Sequence, residues 1–189
     1  MQPTDPKTLT RMLESARSGE AAALDDLLGA VYSDLGAVAA RQFSAERKEH
    51  TLQPTALIHE AWMKLERHID VIEDRLHFFA IASQAMRQVL ADHARRRARA
   101  KRGGQVERVA LSPEFGAADS AEFDLVDLDD TLERLTKLNA RHGRIVELRV
   151  FGGLTIAETA SMLEVSAATV DRDWLMAKAW LRTELRARR

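Results

Sequence analysis

Two groups of residues in this chain have the types and spacing to handle nucleic acid. The first is a cationic run, Arg95, Arg96, Arg97, Arg99, Lys101 and Arg102, with Arg87 and Asp92 just upstream. Guanidinium groups at this density neutralise phosphates and release counterions, the main source of affinity for a polyanion. The second is the stretch Leu154–Trp174, LTIAETASMLEVSAATVDRDW, which reads as a helix-turn-helix. Thr155 followed three residues later by Glu158 makes a capping box for the first helix. Ala160 is small where two helices cross, Leu163 and Val165 bracket a turn, and Ser166 caps the second helix. Val170 and Trp174 are four apart, so they share a face and pack back on the first helix. A second helix held this way turns its N-terminal side chains toward base edges in a major groove. Ser166, Thr169 and Arg172 are the candidates for base or phosphate contact there, with Lys178 and Arg182 on the backbone. Two features count against this reading. Glu164 occupies the turn position where glycine is usual, at a cost of about 1 kcal/mol for a left-handed residue. Asp171 and Asp173 stand where phosphates would repel them, although Asp171 could accept a hydrogen bond from a cytosine amino group.

Other chemistries find little support. The chain has no phosphate-cradling glycine loop, no His-Glu-x-x-His and no nucleophile elbow, so it does not read as an enzyme and implies no cofactor. His50, His59, His68 and His77 recur every nine residues, which puts neighbours on opposite helix faces rather than around a metal. Cysteine is absent, which excludes disulfides, cysteine zinc sites and a thiol nucleophile and suits a cytoplasmic location. No run of about 18 apolar residues could span a membrane, and the polar first 20 residues lack a signal-peptide core.

The elements that carry these groups read as helices. Hydrophobic residues are 46% of the 189, charged residues 30%, and glycine and proline are few, which together favour an all-α fold. Asp5-Pro6 starts a helix with the stripe Leu9, Met12, Leu13 and Ala16. A second helix spans about Ala21 to Gln42, and a third begins near Thr51 to Pro54 and continues through ALIHEAWMKLERHI. The fourth starts near Arg75. Phe78, Ala82, Ala85, Met86, Val89, Leu90 and His93 form its apolar face; Gln84, Arg87, Gln88, Asp92, Arg95 and Arg99 lie opposite, and Gly103-Gly104 ends it. Residues 103–123 hold small and acidic residues without periodicity and read as a flexible linker. Helical patterning resumes with Leu125, Leu128, Leu132 and Leu135, then Ile145, Leu148 and Phe151, with Arg149 facing solvent. The expected architecture is two small helical domains, 1–102 and 124–189, the second ending in the helix-turn-helix.

The formal net charge is only −1, whereas a protein that binds DNA alone carries a clear basic excess. The charge is segregated instead. Every charged residue from Glu114 to Glu133 is acidic: Glu114, Asp119, Glu122, Asp124, Asp127, Asp129, Asp130 and Glu133. The C-terminal end is mostly basic again (Arg182, Arg186, Arg188 and Arg189 against Glu184). Either these are solvated faces, or two basic surfaces touch nucleic acid while the acidic connector stays off it.

In their order and spacing, three blocks resemble the sigma factors of RNA polymerase, in particular the extracytoplasmic-function class, over nearly the whole chain. ALIHEAWMKL at 56–65 is similar to the family's core-binding helix. FFAIASQAMRQVLADHARRR at 78–97 resembles the helix that opens the −10 element, and GGLTIAETASMLEVSAATVDRDW at 152–174 the −35 reader. The resemblance implies binding to core polymerase through Leu57, Glu60 and Lys64. It implies −10 recognition by Arg87, Asp92, Arg95, Arg96 and Arg99, with the segment Ile69–Phe79 walling a pocket for an unstacked base. Promoter DNA and core polymerase are the implied partners, with no membrane. Many relatives carry acidic residues at the start of the core-binding helix; Gln53, Pro54, Thr55 and Ala56 stand there instead. Phosphorylation of Thr51 or Thr55 would restore negative charge beside a positive helix end. This resembles a branch switched by Ser/Thr protein kinases; release from an anti-sigma factor is the alternative. The competing readings are an autonomous helix-turn-helix regulator, which leaves the Arg95–Arg102 block unexplained, and a helical adaptor that binds polymerase without DNA, which Asp171 and Asp173 favour.

Overall fold

The computed structural model describes residues 5–18, 21–42, 54–100, 108–110 and 122–188. Four helices make the first part: α1 (Pro6–Ala16), α2 (Ala21–Gln42), α3 (Pro54–Leu65) and α4 (Arg75–Ala100), with a 3-10 turn over Glu66–Val71 between the last two. The second part holds α5 (Leu125–Leu138), α6 (Ala140–Val146), α7 (Ile156–Met162) and α8 (Ala167–Ala187), with a π-wound turn over Glu147–Phe151 following α6.

Local chemistry accounts for the boundaries. Asp5 caps α1 by accepting from the Thr8 N–H at 3.0 Å, and Pro6 occupies a first-turn position where its missing N–H costs nothing. Asn139 caps α6 by accepting from the His142 N–H at 3.1 Å. The third helix stops at Leu65, earlier than the sequence pattern suggests, because Glu66–Val71 tightens into the 3-10 turn. That turn carries the chain round so that Ile69 and Ile72 enter the core, and the guanidinium of Arg17, just after α1, donates to the Ile72 carbonyl.

The segment between the two parts is not wholly irregular. Arg108–Ala110 (β1) pairs antiparallel with Glu122–Asp124 (β2), setting Val109 opposite Phe123 and Arg108 opposite Asp124. Three residues per strand are too few for an alternating pattern to stand out in sequence.

One apolar cluster runs through both parts, from Leu9, Leu13 and Leu27 through Phe78 and Met86 to Leu128, Phe151 and Trp174. Helix α4, about 39 Å long at 1.5 Å per residue, is the spine between them. One side packs on α3. The other packs on the π-wound turn and α5. Gly152 allows a close approach: a methyl group there would lie 3.0 Å from the Ser83 Cβ on α4. Ser83 is fully buried and its hydroxyl donates back to the Ala80 carbonyl at 2.8 Å, which lets a polar residue occupy the seam.

Candidate nucleic-acid interface

The helix-turn-helix forms as its residues dictate. Thr155 Oγ1 accepts from the Glu158 N–H at 3.2 Å, while Glu158 Oε2 accepts from the Thr155 N–H at 2.9 Å, completing the capping box. Ala160 is buried at the crossing. Glu164 takes the left-handed conformation at φ 55°, so the turn is made without glycine. Ser166 then caps α8, accepting from the Thr169 N–H at 3.1 Å, with the two hydroxyl oxygens 2.8 Å apart. Val170 and Trp174 are buried, and Ser166, Ala167, Ala168, Asp171 and Arg172 are exposed. The first turns of α8 therefore present polar side chains outward from an apolar anchor. Further along, Lys178 Nζ sits 5.1 Å from the Trp174 ring centroid, and Arg182 is half-buried.

The two aspartates of α8 have different environments. Asp171 is exposed to solvent. Asp173 points inward, its side chain only 3% exposed. Its carboxylate accepts from Arg141 Nε at 2.7 Å and Arg172 Nε at 3.4 Å, and His142 Nε2 lies 3.8 Å away. Burial by itself would raise the Asp173 carboxyl, but the hydrogen bond and charge of Arg141, with Arg172 and His142, hold it below its ordinary value. The phosphate repulsion expected of Asp173 is thus corrected: the charge is spent tying α6 to α8. Arg149 is corrected too. It is half-buried, with its guanidinium donating to the Leu154 carbonyl at 3.0 Å and lying 5.1 Å from the Trp174 ring centroid.

The basic face of α4 is engaged within the protein. Arg87 Nη1 lies 3.1 Å from Asp129 and its Nε 3.1 Å from Glu147. Arg95 Nη2 donates to Asp129 at 2.7 Å and to Asp130 at 3.1 Å. Burial raises the Asp129 carboxyl above its ordinary value, with Glu133 adding to this; Arg87 and Arg95 pull down without fully offsetting it. Arg95 is raised, because Asp129 and Asp130 outweigh the opposing effect of its desolvation. Two further polar side chains of the fourth helix meet the third: Asp92 lies 3.5 Å from Lys64 and Arg96 3.6 Å from Glu60. Arg99 is exposed. Of the segment Ile69–Phe79, Ile69, Ile72, Phe78 and Phe79 are buried, with Arg75 over the Phe79 ring at 4.8 Å, while Asp70, Val71, Glu73 and Asp74 are exposed.

On α3, Leu57 is fully buried in the core and presents no surface, a correction to its expected contact with polymerase. Glu60, one turn on, and Lys64, two turns on, reach solvent in part. Thr55 is exposed in the first turn, and Thr51 and His50 lie outside the described residues. The His59 ring lies tilted against Tyr32, ring centroids 6.1 Å apart, and His77 Nδ1 accepts from the Glu73 N–H at 3.3 Å. Sequence reasoning missed the partners Asp129, Asp130, Glu147 and Glu158. The acidic run signalled charge, but nothing in its spacing named the arginines it meets.

With the capped helix-turn-helix and the arginine-bearing α4 described, the family comparison decides the assignment: the ECF sigma factor model matches residues 6–187. The chain belongs to the ECF sigma factors. Such sigma factors are non-enzymatic initiation factors that direct RNA polymerase to promoters, so polymerase and DNA are its partners. Among solved structures, that of CnrH in complex with the cytosolic domain of CnrY matches at 21% identity and a TM-score of 0.44, over 95% of this chain and 98% of that one. No curated protein matches. Among the described residues, no helix of the sigma factor is long and apolar enough to cross a membrane.

Proposed function

We propose that this sigma factor works through two units, residues 1–102 and 124–189, with 103–123 between them, and that a threonine switch controls its access to polymerase. Glu60 and Lys64 on α3 contact core polymerase. Arg87, Asp92, Arg95, Arg96 and Arg99 on α4 meet the −10 element as it melts. Ser166, Thr169 and Arg172 reach bases or phosphates of the −35 element, with Lys178 and Arg182 on its backbone. The observation that carries this reading is the outward polar turn of α8, capped by Ser166 and anchored by buried Val170 and Trp174. A preformed helix end of this kind needs no reorganisation to enter a groove.

The switch reading rests on charge. The start of α3 has no acidic residue in its first turn, and Thr55 is exposed there. A phosphate on Thr51 or Thr55 adds about −1.5 to −2 charges beside the positive end of the helix and so supplies the missing acidic surface. Run-off transcription with core polymerase tests both layers, using the protein unmodified, then treated with a Ser/Thr kinase, then as Thr51→Ala and Thr55→Ala. Output only after treatment, lost in one threonine variant, supports the switch. Output from unmodified protein keeps the promoter role and removes the switch, leaving release from an anti-sigma factor as the control. Absence of output in every state, with duplex binding by the protein alone, turns the reading to an autonomous regulator.

A further inference from the structure

The outward face of α8 carries two i,i+4 rows, Ala167–Asp171–Leu175 and Ala168–Arg172–Met176, and all six residues are exposed. Each row begins small, is charged one turn on and apolar two turns on. Alanine at the start of both rows lets the helix backbone come close to whatever it meets. At the far end Leu175 and Met176, 55% and 58% exposed, displace water from any surface laid against them. Of the six, Asp171 alone is acidic, and Asp173 is turned inward onto Arg141. Among the described residues, no hydrogen bond or ion pair engages the Asp171 side chain. It also lies in the second turn, past the first turn in which the positive helix end favours an acid. Neither a salt bridge nor the helix end therefore accounts for a carboxylate at this position.

Phosphates repel a carboxylate, so within a groove it must find a donor. The base edges of the major groove offer two, the amino groups of cytosine and adenine; guanine O6 and N7 and thymine O4 are acceptors. An ionised carboxylate only accepts. Cytosine suits it better than adenine, whose amino group stands beside the N7 acceptor. We infer that Asp171 is a specificity-determining residue of the −35 reader, accepting a hydrogen bond from the amino group of one cytosine and rejecting bases that present acceptors there; this rests on α8 being the −35 helix. Rejection is the larger part of the effect. Set against guanine O6 or thymine O4, with Leu175 and Met176 excluding water beside it, the carboxylate is left unpaired, and an unmade bond to a buried charge costs more than a made one returns. The acid that weakens attraction to DNA in general thereby sharpens the choice among sequences. Arg172, adjacent and 66% exposed, keeps a cation on the same face to meet the phosphates.

The test uses the full chain bound to core polymerase. Duplexes with a randomised promoter region are selected for binding by wild type, Asp171→Asn and Asp171→Ala, and the bound pools are sequenced. Wild type should hold one upstream position to cytosine by at least about fivefold over each other base, the low end of the discrimination that one good base contact gives. Asp171→Asn brings a donor as well as an acceptor and should move that position toward adenine, which asparagine pairs through N6 and N7. Asp171→Ala should flatten the position, leave the other upstream positions as they were, and raise binding to all sequences through lost repulsion. The same base preferences in all three pools, or a uniform gain in affinity with no change at any position, would overturn the assignment and leave Asp171 as surface charge. A change at a position where wild type does not prefer cytosine would overturn the choice of base. Wild-type selection without any preferred upstream base would overturn the −35 reading of α8 itself.

Discussion

Replacing Asp173 with asparagine removes a buried carboxylate on which Arg141, Arg172 and His142 converge. Taking one partner from a fully buried ion pair costs about 3–5 kcal/mol. Here the cost is lower, because the Arg141 and Arg172 side chains are 46% and 66% exposed and re-solvate when released. The Arg141 hydrogen bond at 2.7 Å is charge-assisted and carries most of the effect, about 1.5–3 kcal/mol. The Arg172 contact at 3.4 Å adds at most about 0.5 kcal/mol at that exposure. With a core continuous across both parts of the chain, a loss of about 2 kcal/mol lowers Tm by roughly 4–8 °C. The pH dependence follows from linkage. The Asp173 carboxyl is held below its ordinary value, so its stabilisation is present above the normal carboxylate range and lost as pH falls through the depressed value. Calorimetric melts of wild type and Asp173→Asn should therefore differ most near neutrality and converge in acid. An unchanged Tm with tighter binding to −35 duplex would refute the reasoning, because it would mean that the charge faces DNA rather than α6.

Four further substitutions separate packing from contact. Gly143→Ala should lower Tm by an overpacking cost of about 1–3 kcal/mol, because its methyl group would lie 2.8 Å from the Thr136 Cα and closer still to Oγ1. Leu57→Ala should cost about 2–5 kcal/mol in a denaturant titration, whereas Glu60→Ala, whose partner Arg96 is 63% exposed, should cost less than about 1 kcal/mol and weaken polymerase binding in a pull-down. Arg172→Ala should weaken −35 duplex binding and reduce the slope of log affinity against log salt by about 0.9 if it neutralises one phosphate, as a salt titration would show.

Several elements were legible because their causes are local. Asp5-Pro6, the Thr155/Glu158 capping box and Ser166 are side chains bonding to backbone three residues away, and such bonds can be read from spacing. The apolar stripes of α1, α4 and α5 follow from helical periodicity, which makes the mainly helical architecture legible in the sequence. The strand pair at 108–110 and 122–124 was not, since three residues carry no period.

What the sequence determined by itself was therefore the helices, their caps, the helix-turn-helix and the location of each charge. What only the tertiary structure decided was where those charges point. Asp171 and Asp173 are two residues apart in α8, yet one faces solvent and the other is buried under Arg141, which lies 32 residues earlier in the chain. Arg95 meets Asp129 across 34 residues, and Arg75 meets Glu158 across 83. Charge pairing over such separations depends on how helices pack, and packing is driven by non-directional burial of the apolar faces. The ion pairs take whatever register that burial leaves them.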